Sequence, residues 1–222
     1  MYKDFEQKKR NRPIAITDIA ISKVRCIQFQ GFKAEHNKYI QEQHKLLLEI
    51  AKKYNESNEV GILINIIDWS AWLIIGNGNM VETKDNPDAY AVLKSSRKNT
   101  LLFMHNHPST TTFSGTEFKT FCSNDSLYMI TVVGNDGSVR ALIKESSFDA
   151  NEALAYYNTL ATVKYKNYSN NGTLAMRELL KIVMKLGYFI KTGGMIDDQQ
   201  ASPATGINAN YNKKTSAGKK RR

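Results

Sequence analysis

The stretch Leu101-Leu102-Phe103-Met104-His105-Asn106-His107-Pro108 decides how this chain is read. Four apolar residues run straight into two histidines, and a proline closes the run. The apolar run Leu-Leu-Phe-Met predicts a strand over residues 100–105 that leads straight into the histidines. Side chains two apart on a strand point the same way, so His105 and His107 can present both imidazoles to one metal ion. Pro108 cannot extend a ladder and ends the strand, which places these ligands at a sheet edge open to solvent and substrate. Ten residues beyond His107 stands Glu117, one turn into a helix predicted over 114–121. A helix packed on the strand end would deliver its carboxylate as a third ligand. Two histidines and one carboxylate leave a fourth position for water, the composition of a catalytic zinc site rather than a closed structural one. Ser114-x-x-Glu117 is equally the capping box of an ordinary helix start, a purely structural reading of the same pair.

Working outward, residues 60–67 form a β-branched run broken only by Asn65, and 71–75 form a second strand closed by Gly76-Asn77-Gly78-Asn79. Asn86 caps a helix over 87–94 with Pro87 at its first position. Residues 128–133 and 138–143 are two strands joined by Gly134-Asn135-Asp136-Gly137, a hairpin signal. Helical spacing recurs over 36–54, 149–163 and 173–186. The order α-β-β-α-β-α-β-β-α implies an α/β (α+β) fold, a mixed β-sheet flanked by helices.

His105-Asn106-His107-Pro108-Ser109 followed by Ser114-x-x-Glu117 resembles the signature of the JAB/MPN superfamily, the JAMM metalloproteases, and in particular its RadC-like branch and the JAB domains of phages and mobile elements. The resemblance covers roughly residues 59–144. It implies cytidine-deaminase-like layering, a Zn2+ ion held by His105, His107 and Glu117, an oxyanion-stabilising Ser114, and an upstream glutamate acting as proton carrier. Glu59, opening the first predicted strand, matches that glutamate best; Glu56 and Glu82 are weaker matches. Two departures stand out. The family has aspartate where this chain has Glu117, and one more residue between the second histidine and the serine. Either the longer side chain reaches across the tighter loop, or metal binding is weakened. The activity implied is hydrolysis of peptide or isopeptide bonds in a protein or peptide substrate. The alternative is a catalytically silent JAB-fold binding or assembly module of a phage or mobile element, associated with DNA.

The net charge of +10 sits at the ends. Lys3, Lys8, Lys9, Arg10 and Arg12 against Asp4 and Glu6 give the first twelve residues +3, and Lys213, Lys214, Lys219, Lys220, Arg221 and Arg222 give the last twenty +6, leaving the body near +1. Weak nucleic-acid binding through these basic termini is one reading, a solvated tail the other. The expected organisation is a basic N-terminal extension over 1–34, the JAB/MPN-like domain over 35–165, a helical extension over 166–194, and a disordered basic tail over 195–222. No run is apolar enough to span a bilayer, so no membrane partner is expected. Two cysteines, Cys26 and Cys122, cannot make a disulfide framework, and a reducing, cytoplasmic location is expected. Cys122, His36, His44, Trp69 and Trp72 read as packing residues.

Overall fold

The computed structural model describes residues 13–76, 80–109, 111–183 and 192–193. The two basic ends, the proposed tail and the last turn of the expected 173–186 helix therefore lie outside the described residues. The elements are α1 (Asp18–Lys23), α2 (Ala34–Tyr54), β1 (Val60–Asn65), β2 (Ala71–Ile75), a 3₁₀ turn (Thr83–Asp85), α3 (Pro87–Ser95), β3 (Leu101–His107), α4 (Gly115–Ser123), β4 (Leu127–Gly134), β5 (Val139–Ile143), α5 (Ala150–Thr159), a π turn (Leu160–Lys164), α6 (Asn171–Val183) and the short β6 (Thr192–Gly193). The sheet order is β2-β1-β3-β4-β5-β6. Among the described residues, only β3 and β4 pair in parallel; the other neighbours are antiparallel. The mixed sheet flanked by helices expected from the element order is what the chain forms.

Pleating sorts the strand residues into two cores. Ile62, Ile64, Leu102, Met104, Met129 and Val133 face α1 and α2, whose Ile21, Ile40, Leu47, Leu48 and Ala51 cover them. Leu63, Leu101, Phe103, Ile130, Val132 and Leu142 face α3 to α6. Both faces of β3 are covered, so its seven residues are all buried. This corrects the expected sheet edge: β3 is an interior strand between β1 and β4, and the histidines sit at its C-terminal end in the middle of the sheet. Pro108 does follow the last residue of the strand.

Residues 13–34 pack onto the body of the fold. Ile16, Ala20, Ile21, Val24 and Phe29 are buried against α2 and the sheet. Thr17 caps α1 by accepting from the Ala20 amide. This segment escaped the sequence reading because six helical residues are too few to show a periodicity. Residues 149–163 also differ: the helix passes into a π turn after Thr159. Among the described residues, no helix is long and apolar enough to cross a membrane.

Candidate metal centre

The pleat puts Leu101, Phe103, His105 and His107 on one face of β3, with Leu63, Gly61 and, one step before β1, Glu59 beside them. Gly61 lies directly opposite His105. A methyl group on Gly61 would come within 2.9 Å of the Phe103 ring, so glycine makes room for that ring. Phe103 in turn stacks on His105, with centroids 5.3 Å apart and planes 18° apart. His105 is thus walled by an aromatic face and 1% exposed; His107 is 6% exposed.

The carboxylate arrives from α4. Phe118, Phe121 and Cys122 anchor that helix in the core, which confirms Cys122 as a packing residue. Ser114 is its N-cap and accepts from the Glu117 amide at 3.2 Å, while Glu117 Oε2 accepts from the Ser114 amide. The capping box is therefore real, and it does not compete with the ligand reading. Glu117 Oε1 remains free of the cap and contacts His105 Nε2 and, at 2.8 Å, His107 Nε2. The two Nε2 atoms are 3.1 Å apart. One oxygen holds the helix start and the other meets the histidines; a carboxylate at the third helical position must reach back to do both. Gly115 permits this placement, since a side chain there would collide with the Tyr157 hydroxyl.

Protonation follows from the neighbours. His107 Nδ1 faces the Thr111 carbonyl at 3.1 Å, which can only accept, so Nδ1 carries a proton; Nε2 then presents a lone pair to the centre in the neutral ring and donates to Glu117 in the charged one. Burial by itself would lower the His107 pKa, but hydrogen bonding and attraction to Glu117 outweigh it and hold the group above 6.5. Burial keeps His105 below 6.5 despite Glu117. Burial opposes charge on Glu117, yet the two histidines hold it well below the usual carboxylate range. Two imidazole nitrogens and a carboxylate oxygen thus converge on one point, close enough together to hold one metal ion.

No family model, curated protein or solved structure matches this chain. What the centre can do must come from its own atoms.

Glu59 lies half-buried beside the cluster. Its Oε2 accepts from the Val81 amide at 3.1 Å, and burial pushes its pKa up to about 7, with His107 pulling it down and Glu117 pushing it up. The weaker candidates are elsewhere: Glu56 is exposed in the turn after α2, and Glu82 caps the 3₁₀ turn and pairs with Lys84. Ser114 is exposed at the mouth of the helix. Trp69 packs against His36 at a tilt and against Tyr39 edge-on at the far end of the sheet, and Trp72 packs on the core, so neither lines the centre.

Proposed function

We propose that this protein is a zinc-dependent hydrolase of peptide or isopeptide bonds, of the JAMM metalloprotease type, acting in the cytoplasm on a protein or peptide. The observation that carries the reading is the convergence of His105 Nε2, His107 Nε2 and Glu117 Oε1 beside Glu59, a carboxyl group with a pKa of about 7. The donor set fits zinc: two imidazoles and one carboxylate, with a fourth position left for substrate or water. It also fits a cation in general, because the tautomer of His107 turns a lone pair toward a carboxylate oxygen, and only a proton or a metal makes that contact favourable. Bound zinc supplies a Lewis acid that polarises the scissile carbonyl and acidifies water near neutral pH.

The chain's own residues supply the remaining steps. His105, His107 and Glu117 would hold the ion, and the Thr111 carbonyl fixes the His107 ring. Glu59 takes a proton from the attacking water and returns it to the leaving amine, the work of a general acid–base placed beside the ligands. The Ser114 oxygen accepts from the helix, so its O–H stays free to donate to the carbonyl oxygen as negative charge develops there. Cys26 and Cys122 are both free thiols, which agrees with a reducing compartment.

The silent-module reading keeps one observation in its favour: Glu117 already contacts both histidines directly, so protons alone can satisfy the cluster. Metal analysis and turnover separate the two. Protein prepared without chelators should carry one zinc per chain. Glu59→Gln should keep that zinc and slow hydrolysis of a responsive peptide or isopeptide by about 100-fold or more. Protein that holds no zinc, even after titration, refutes the hydrolase.

A further inference from the structure

Asn106 stands between the two histidines and points to the opposite face of β3, away from the centre. It is fully buried, and its amide is almost fully used. Oδ1 accepts from the Val60 amide at 2.7 Å. Nδ2 donates to the Asn58 carbonyl at 3.2 Å and to Asn135 Oδ1 at 2.8 Å. Asn58 and Val60 are the two neighbours of Glu59, so one side chain grips the backbone on both sides of it. Asn135, also buried, locks the amide from behind: its Nδ2 donates to the carbonyls of Ser57 and Ile14, and its own backbone amide donates to the His107 carbonyl at 3.0 Å. The Ile14 amide closes the circuit on the Pro108 carbonyl at 2.8 Å. The strand end bearing the ligands and the strand start bearing Glu59 are thereby tied through a single buried amide pair.

We infer that Asn106, held by Asn135, is a positioning residue that sets the Glu59 carboxylate relative to the metal ligands. This rests on the metalloprotease reading for its catalytic meaning, but the geometry is its own. A packing role would predict no such specificity, because an apolar side chain fills a core at least as well and leaves no amide to satisfy. Here each polar atom goes to backbone flanking one carboxylate. A displacement of about 1 Å in such a group is enough to cost on the order of 100-fold in rate.

The test loads the full-length protein with Co2+ as a paramagnetic probe. The relaxation enhancement at the Glu59 side-chain carboxyl carbon then reads its distance from the ion by NMR. In Asn106→Ala the cobalt stoichiometry and the hyperfine-shifted histidine signals should stay as in wild type. The enhancement at Glu59 should change several-fold, and kcat should fall with KM unchanged. Asn135→Ala should give a smaller change in the same direction. Should Asn106→Ala not fold, Asn106→Ser decides, since a serine hydroxyl cannot span Asn58 and Val60 together. A lower melting temperature with an unaltered Glu59 signal overturns the inference, as does loss of cobalt from a folded variant, which would make Asn106 a support of the ligands instead. If the cobalt result holds but Glu59→Gln retains full turnover, the positioning stands and the proton-carrier assignment falls. Wild-type protein that takes up no cobalt overturns both.

Discussion

Each face of the sheet buries histidine, and the two faces treat it differently. Under α2, His44 is enclosed and meets a single hydroxyl, Thr131 Oγ1, at 2.8 Å. Burial pushes its pKa down to about 3, with the nearby His105 adding to the effect. On the other face His105 and His107 are as thoroughly enclosed, yet His107 is held above its ordinary value because Glu117 sits against it. Glu117, with Glu59 and the Thr111 carbonyl, raises His107, while burial still holds His105 below its ordinary value despite the same carboxylate. Burial alone yields a neutral imidazole serving as a packing group with one hydrogen bond; burial beside a carboxylate yields a polar centre whose lone pairs converge.

The largest effect should separate the two faces outright. His107→Ala should weaken zinc by more than about 100-fold, since even losing a residue behind a ligand costs 10- to 100-fold. His44→Ala should keep full zinc occupancy and lose about 2–4 kcal/mol of stability to the cavity and the abandoned Thr131 hydroxyl. Zinc content and thermal melts of both variants check this; zinc retained in the first or lost in the second breaks the comparison.

Acid should sharpen it. Between pH 6.5 and about 3 the unfolded chain protonates His44 and the folded chain does not, so stability falls as pH drops through that window. The slope from this one group is up to about 1.4 kcal/mol per pH unit. Melting temperatures of His44→Leu should show a flatter acid limb. Glu117 behaves in parallel for its own reason: its stabilisation of the metal-free protein is present above the ordinary carboxylate range and lost as pH falls through its depressed pKa. His107 runs the other way, stabilising the metal-free protein fully below 6.5 and losing that contribution as pH rises through its raised pKa. Because ligands must be deprotonated, zinc affinity should weaken as pH falls through that same raised value. Calorimetric titrations at several pH values test the sign.

A smaller effect is expected for Glu117→Asp. The shorter side chain cannot keep both the cap and the histidine contacts, so zinc affinity should drop about 10-fold, within the range seen when a site loses support. Competition with a chromophoric chelator measures it; tighter binding would show that glutamate is the compromised choice. Least of all, Ser114→Ala should cost about 1 kcal/mol of stability through the lost cap, with zinc retained.

The comparison also explains what the sequence could disclose. His105, His107 and Glu117 were readable because a two-residue strand spacing and a capping box are local patterns, and the structure brings all three together. Glu117 serves the cap with one oxygen and faces the histidines with the other. Asn106 was invisible as a clamp, since its partners Asn58, Val60 and Asn135 are 29 to 48 residues distant. So was the pairing of His44 with Thr131, 87 residues apart. Lys144 was overlooked for a similar reason: it is buried, donates to the Asn124 carbonyl at the end of α4, and lies over the rings of Phe121 and Phe148. The apolar run of β3 marked a strand, but neither its burial on both faces nor its interior place in the sheet was legible, because strand order depends on pairings that no local pattern encodes.

Gly115 and Tyr157 carry a consequence for how this chain can change over generations. The tyrosine hydroxyl occupies the space where any side chain at 115 would begin, at the residue that opens the helix bearing Glu117. A larger residue at 115 requires the Tyr157 ring to swing aside or a smaller residue at 157. Descendants of this chain that kept the centre should show the two positions changing together more often than apart, and a library randomised at 115 should accept more residues when 157 is small than when it is tyrosine.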